Sequence, residues 1–195
     1  SKNLGCYGDG GAIFTNDDDL AHTIRGIVNH GMYERYHHDV VGVNSRLDAI
    51  QATILRAKLP QLDQYNAARR NAARKYSKAF EGIENIITPT GYCKAGNSIC
   101  DTCDCHVFHQ YTLRILNGTR DALVKHLNDN GIPCGVYYPI PLHAQKAYKD
   151  PRYNEADFTV TNQLVKEVIS LPMHTELDEE QIDFITKTVI DFVTD

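Results

Sequence analysis

The sequence lacks several features that would assign it to a broad class at once. It has no apolar run approaching the roughly 20 residues needed to cross a bilayer. It has no basic excess, because 20 Lys and Arg stand against 25 Asp and Glu for a net charge of −5, and no segment is basic enough to predict nucleic-acid binding. Its six cysteines are not spread as in a disulfide scaffold, since four lie within 93–105. We therefore expect a protein of the reducing cytoplasm that binds neither membrane nor nucleic acid.

The composition that remains is that of an ordinary globular chain, with 42% hydrophobic and 23% charged residues, enough for one domain or one domain plus an arm. The first 80 residues predict a short buried strand at 12–14 and then a helix capped by Asn16 or Asp17. A long amphipathic helix is predicted over 47–80, with a kink or break near Leu59 because Pro60 interrupts it. Its basic face is interpreted as solvated and contains Arg56, Lys58, Arg69, Arg70, Arg74 and Lys75.

The remaining chain alternates strand and helix patterns, which predicts a small α/β domain. Apolar alternation and turn residues give four predicted strands, at 83–87, 107–115, 135–138 and 169–171. The predicted helices begin at Thr119, Thr159 and Asp178.

Lys2 precedes four glycines within positions 5–11. Glycines at this density allow backbone conformations that bring the chain close to a neighbour. A lysine held beside such a turn can be desolvated and act as a nucleophilic amine. The alternative is a solvated lysine in a frayed segment.

Residues 30–46 are rich in histidine, tyrosine and arginine and show no helix or strand period. Loops of this kind are where binding groups gather on a rigid scaffold, and the alternative is a solvated loop without a binding role. Arg46 can form a bidentate contact with a carboxylate ligand, and the alternative is an ion pair with Asp48 or another carboxylate. His37 and His38 have no thiolate or carboxylate at a spacing that fits a metal site.

Four cysteines crowd one loop: Cys93, Cys100, Cys103 and Cys105. Together they could complete a tetrahedral zinc site, but Cys103 and Cys105 are close in sequence for two ligands of one ion, and a second well-spaced pair is lacking. We therefore predict free or adventitiously oxidised thiols and no metal, with zinc binding or a redox pair at Cys100 and Cys103 as the alternatives.

Five segments of the chain carry a resemblance to one family: SKNLGCYGDGGAIFT (1–15), RYHH (35–38), GVNSRLD (42–48), YPIPLH (138–143) and SLPMH (170–174). Together, and in this order, they resemble the DegT/DnrJ-type sugar aminotransferases, pyridoxal-phosphate enzymes that put an amino group on a nucleotide-linked keto sugar. The resemblance covers nearly the whole chain and is greatest to members that aminate a UDP-linked N-acetyl hexuluronate at the third carbon.

The resemblance implies the C-terminal part of an aspartate-aminotransferase-like fold, the type I fold of pyridoxal-phosphate enzymes. Residues 1–46 would be a remnant of the large cofactor domain with an inter-subunit loop, 47–80 a long linking helix, and 81–195 the small α/β domain. Lys2 would form the Schiff base with the cofactor and act as general base and then acid. A dehydratase branch of the family has histidine there, so Lys2 argues against that branch.

The resemblance also implies a homodimer with shared active sites, in which Asn44 helps to bind the cofactor phosphate of the partner subunit. Tyr137, Tyr138 and His143 would contact the sugar, although some relatives have histidine where this chain has Tyr137. On its residues alone, His143 is more readily interpreted as a structural histidine than as a binding residue. Glutamate would be the amino donor, and the pathway would make bacterial surface polysaccharide or amino sugars. We expect the chain alone to be nearly inactive, and a non-catalytic or metal-binding α/β module is the alternative.

Overall fold

The computed structural model describes residues 2–90 and 105–194, which fall into two compact units, Ser1–Leu62 and Asp63–Asp195. The division lies inside the predicted linking helix. The helices are α1 (Asp18–Val28), α2 (Ala49–Lys58), α3 (Leu62–Ala79), α4 (Arg120–Asp129), α5 (Thr159–Glu167) and α6 (Glu179–Thr194). The strands are β1 (Met32–Glu34), β2 (His37–His38), β3 (Ile86–Ile87), β4 (Tyr111–Ile115) and β5 (Val168–Leu171). No helix of the described ranges is long and apolar enough to cross a membrane.

Helix α1 begins where the sequence predicts. The side chain of Asp17 accepts a hydrogen bond from the backbone N–H of Leu20 at 2.9 Å, which caps the first turn. Asp18 and Asp19 follow in that turn, where negative charge interacts favourably with the helix dipole.

The end of α1 is closed by the loop that follows the β1–β2 hairpin. The carbonyls of Ile27 and Val28 accept hydrogen bonds from the N–H groups of Val43 (2.7 Å) and Ser45 (2.9 Å). These contacts supply hydrogen-bond donors to carbonyls that have no partner within the helix at its C-terminal end. They require Gly42, because a Cβ at this residue would lie only 2.0 Å from the backbone nitrogen of Gly31.

The predicted strand at 12–14 is wrong. Among the described residues this segment pairs with no strand, and Ile13 and Phe14 are 71% and 91% exposed. An apolar run predicts burial, but it does not provide the neighbouring strand that a ladder needs.

The predicted helix break at Pro60 is confirmed. Helix α2 ends at Lys58, and Leu59–Gln61 forms a 3₁₀ turn before α3 begins. Proline lacks the N–H that would continue the helical hydrogen bonds, which explains the change at this point.

The second unit is built on an antiparallel sheet of order β3-β4-β5. Alternate residues of the central strand β4 are buried, and the helices supply the rest of the core. The largest fully buried side chains of this core are Tyr76, Tyr111, Leu113, Ile115, Leu123, Leu127, Ile169 and Val189. The predicted α/β character is confirmed, although β3 and β4 are shorter than the segments 83–87 and 107–115.

The interpretation of the α3 basic face as solvated is wrong for Arg69, which is only 8% exposed. Its Nη1 donates to the carbonyls of Phe108 (3.3 Å), His109 (3.1 Å) and Met173 (3.1 Å). Burial lowers the pKa of this guanidinium, and the charge of Glu176 opposes the shift. Arg69 therefore ties two loops to α3.

The predicted strand at 135–138 is also wrong. Gly135 alone forms a bridge, exchanging two hydrogen bonds with Ser170 of β5 at 3.0 and 2.7 Å. Pro139 and Pro141 follow shortly and have no N–H to donate, so the sequence cannot extend the ladder regularly beyond this point.

Candidate active site

The Lys2 segment is held by α2 within the first unit. The backbone N–H of Tyr7 donates to Oε1 of Gln51 at 2.8 Å. Nζ of Lys58 donates to the carbonyl of Gly5, and Gly5 is a buried residue. The side chain of Lys2 is exposed. The segment thus places an exposed lysine beside a turn that is fixed to a helix.

A cleft of about 790 Å³ opens beside this turn in the same unit. Its walls come from the glycine segment, from α1 and from residues 45–48. Two guanidinium groups and two carboxylates line it, from Arg25, Arg46, Asp9 and Asp48. The mixed charge suits a polar ligand with both donors and acceptors.

A second cleft of about 440 Å³ shares Arg25, Val28 and Arg46 with the first. His22 and Tyr33 also line it, with their rings stacked 4.2 Å apart at an interplanar angle of 6°. Sequence reasoning missed Arg25 and His22, because on α1 they are indistinguishable from ordinary surface residues.

Asn44 and Arg46, two of the predicted site residues, are in contact. Nε of Arg46 donates to Oδ1 of Asn44 at 3.3 Å. Among the described residues Arg46 forms no salt bridge, either with Asp48 or with another carboxylate. Because the oxygen of the Asn44 amide faces Arg46, the amide nitrogen is turned the other way and presents two donors.

Tyr137, Tyr138 and His143 lie in the second unit. Tyr137 and Tyr138 are 48% and 71% exposed, and their rings meet edge to face at 5.7 Å. His143 is half-buried, stacks on Phe158 at 4.1 Å, and places Nε2 3.2 Å from Oδ1 of Asn162. The predicted residues are thus divided between the units, with Lys2, Asn44 and Arg46 in the first.

The cysteine loop falls largely outside the described residues. Cys93, Cys100 and Cys103 lie there, and Cys105 is exposed. Within 2–90 and 105–194, no three His, Cys, Asp or Glu side chains are grouped so as to hold a metal ion. The zinc and redox alternatives for the four cysteines therefore stay untested.

Comparison with known proteins decides the family. The model of the DegT/DnrJ/EryC1/StrS aminotransferase family matches residues 1–190. The chain belongs to this family. The resemblance of the quoted segments is thereby confirmed.

The names of two curated relatives specify UDP-linked sugars as their substrates. UDP-2-acetamido-2-deoxy-3-oxo-D-glucuronate aminotransferase of Pseudomonas aeruginosa is 44% identical over 185 residues, which is 95% of this chain and 47% of the relative. UDP-N-acetyl-3-dehydro-alpha-D-glucosamine 3-aminotransferase of Acidithiobacillus ferrooxidans is 42% identical over 191 residues, 97% of this chain and 47% of the relative. The chain spans about half the length of the curated relatives it matches.

Solved structures confirm the predicted fold. S. venezuelae DesV in complex with a ketimine intermediate superposes with a TM-score of 0.88 at 33% identity, over 99% of this chain and 49% of DesV. A DegT DnrJ EryC1 StrS aminotransferase from Brucella abortus gives 0.85 at 36% identity, over 99% of this chain and 48% of the other.

Proposed function

We propose that this chain forms half of a pyridoxal-phosphate-dependent aminotransferase that acts on a nucleotide-linked keto sugar, with Lys2 as the cofactor lysine. Membership of the aminotransferase family supports the reaction class, and the names of two relatives support a UDP-linked substrate. The observation that carries the proposal is the place of Lys2, an exposed residue beside a turn that Gln51 and Lys58 fix to α2.

The residues of the first unit fit the cofactor. When bound, pyridoxal phosphate supplies an aldehyde that condenses with amines and a ring that takes up the electron pair left by a departing proton. The Lys2 amine would hold it covalently. Once released, Nζ of Lys2 would take the proton from the α-carbon of the amino donor as a base and return it as an acid at the carbon that had been the cofactor's aldehyde carbon.

Asn44 and Arg46 would serve anionic groups. The Asn44 amide nitrogen, turned away from Arg46, is a donor for a phosphate oxygen and adds no charge. We propose that it reaches the cofactor of the partner subunit in a homodimer. The Arg46 guanidinium would bind the carboxylate of the amino donor, glutamate, or that of a uronate sugar.

Tyr137, Tyr138 and His143 would contact the sugar, for which we propose a UDP-linked N-acetylated 3-keto sugar or hexuluronate. Their exposed or half-buried rings supply hydroxyl and imidazole groups suited to sugar hydroxyls. The proposed setting is cytoplasmic amino-sugar synthesis for bacterial surface polysaccharide.

A trapping experiment tests the proposal. The gene product from its natural start is mixed with pyridoxal phosphate, reduced with borohydride, digested and analysed by mass. A single pyridoxyl group on Lys2 is expected, lost in Lys2→Arg and kept in Lys187→Arg, which changes an exposed lysine of α6. Adducts scattered over surface lysines, or none, would overturn the role of Lys2 and favour a binding module.

Mixed dimers test the shared site. A Lys2→Ala subunit and an Asn44→Ala subunit would each be inactive alone, yet a mixed dimer would contain one site with both wild-type residues. We expect activity to return on mixing with subunit exchange. If mixing restores nothing although exchange is shown by mass, Asn44 does not serve the neighbouring site.

The 195-residue chain alone should be nearly inactive, because an amine without a complete pocket cannot position the cofactor for catalysis. Turnover by this chain alone would contradict that expectation. The comparison requires equal cofactor concentration and the same sugar nucleotide for both proteins.

A further inference from the structure

Asn162 of α5 joins two groups of the second unit. Its Nδ2 donates to the backbone carbonyl of Glu155 at 2.8 Å, and its Oδ1 lies 3.2 Å from Nε2 of His143. A carbonyl oxygen can only accept a hydrogen bond, so the nitrogen of the Asn162 amide has to face Glu155. The oxygen of the amide, Oδ1, must therefore be the atom that faces His143.

The orientation of the amide decides where His143 carries its proton. Oδ1 of Asn162 has no hydrogen to give, so the hydrogen between the two side chains must belong to Nε2 of His143. In the neutral ring Nδ1 then keeps its lone pair. In the described part of the chain, no hydrogen bond engages Nδ1 of His143.

The ring itself is held in place by aromatic contacts. Phe158 stacks on His143 at 4.1 Å with an interplanar angle of 14°, and Tyr153 meets Phe158 edge to face at 6.1 Å. Stacking restrains the plane of the imidazole, and Asn162 restrains its rotation within that plane. Together they leave one nitrogen as a fixed acceptor.

We propose that Asn162 is a positioning residue that keeps neutral His143 as the Nε2–H tautomer, so that Nδ1 accepts a hydrogen bond from a hydroxyl or amide group of the sugar nucleotide. The part concerning substrate rests on the proposed function. The part concerning the tautomer rests on the contacts of Asn162 alone.

Nitrogen NMR on the gene product from its natural start, labelled at histidine, tests the tautomer. Long-range proton–nitrogen spectra show which ring nitrogen carries hydrogen, and His143→Gln identifies the resonances. We expect the Nε2–H form in the wild type and in Asn162→Asp, which keeps an acceptor, and a mixture of tautomers in Asn162→Ala. Asn128→Ala, at an exposed asparagine of α4, is the control and should match the wild type.

Both Asn162 variants lose the donor to Glu155, and only Asn162→Asp retains an acceptor for Nε2 of His143. An Nδ1–H form in the wild type, or an unchanged tautomer in a folded Asn162→Ala protein, would overturn the positioning role. If Asn162→Ala fails to fold, a mixture of tautomers in folded Asn162→Asp also overturns it. This measurement needs no turnover and stands apart from the trapping of cofactor on Lys2.

Kinetics test the contact with substrate. Asn162→Ala should raise KM for the sugar nucleotide about fivefold, the effect of losing a hydrogen bond of about 1 kcal/mol, with kcat within about twofold. In Asn162→Asp the KM for the sugar nucleotide should return most of the way to the wild-type value, and KM for the amino donor should not change in either variant. A changed tautomer with an unchanged KM for the sugar nucleotide would overturn the role of Nδ1 toward substrate.

Discussion

The backbone N–H of Tyr7 and Oε1 of Gln51 are 2.8 Å apart, a hydrogen bond between residues 44 positions apart in sequence. Together with the hydrogen bond from Lys58 to the carbonyl of Gly5, it fixes the Lys2 segment to α2. The turn therefore depends on a side chain of α2 as well as on its own glycines.

Removal of that acceptor should loosen the Lys2 segment. Gln51→Ala should speed hydrogen exchange at the Tyr7 amide about fivefold, because a hydrogen bond of this kind contributes about 1 kcal/mol. Gln51→Glu replaces the amide oxygen with a carboxylate oxygen, which also accepts a hydrogen bond, and should retain most of the protection of the Tyr7 amide against exchange. Equal exchange in the wild type and in Gln51→Ala would show that the contact does not hold the turn.

Gly42→Ala should disrupt the loop at the end of α1. The added Cβ would lie 2.0 Å from the nitrogen of Gly31 and 2.7 Å from the carbonyl oxygen of Ile27, and backbone atoms cannot move aside cheaply. We expect a loss of at least about 1–3 kcal/mol in the free energy of unfolding, measured by circular dichroism in denaturant. Gly11→Ala is the matched control, because a Cβ there meets nothing within 4 Å. Equal losses in the two variants would be evidence against the close packing of Gly31 and Gly42.

Arg69→Met should destabilise the second unit by about 2–4 kcal/mol. The substitution removes a donor from three carbonyls, among them those of His109 and Met173, and it leaves them in a largely buried environment. Arg70→Met changes the neighbouring arginine, for which no hydrogen bond or salt bridge is found among the described residues, and should cost less than about 1 kcal/mol. Thermal unfolding of both variants measures the difference, and a similar stability for the two would refute the tie between α3 and the loops.

Alkaline pH should weaken the second unit through Tyr76 and Tyr111. Burial raises the pKa of both phenols. The charge of ionised Tyr111 raises the pKa of Tyr76 further, whereas a hydrogen bond with Ser77 partly lowers the pKa of Tyr111. Above the ordinary tyrosine pKa of about 10, the unfolded chain loses these protons while the folded chain keeps them. The folded state then binds more protons, so stability falls as pH rises, by up to about 1.4 kcal/mol per pH unit for each tyrosine.

The measurement is the free energy of unfolding between pH 9 and pH 11 in the wild type and in Tyr76→Phe. The variant should lose stability less steeply, because one buried proton no longer differs between the two states. Tyr148→Phe, at an exposed tyrosine, should leave the slope unchanged. Parallel slopes in the wild type and Tyr76→Phe would mean that Tyr76 ionises alike in both states.

The parts of the fold that were predicted from sequence depend on neighbours along the chain. Asp17 caps α1 through a residue three positions away, and Pro60 interrupts a helix by its own chemistry. The role of Arg69 could not be read in this way. Its carbonyl partners lie 39, 40 and 104 residues away, and helical periodicity gives only the direction in which a side chain points.

The same distinction between local and distant contacts applies to the residues of the candidate site. Lys2, Asn44 and Arg46 stand in motifs that a sequence displays, and their roles stay predictions. Asn162 has no such motif, because one asparagine in a polar helix is unremarkable until its two partners are known. The wrong prediction at 135–138 has a related cause, because the strand-forming residues there predict a ladder while two nearby prolines limit pairing to Gly135.

The pairing of β3 with β4 has a consequence for the rate of folding. These strands are adjacent and antiparallel, with Ile87 opposite Arg114, yet residues 88–110 stand between them in the chain. Contacts between residues far apart in sequence slow folding, because the unfolded chain loses the entropy of loop closure before the contacts stabilise it. The β3–β4 pairing should therefore form more slowly than the helices of the second unit, whose hydrogen bonds join near neighbours in the chain.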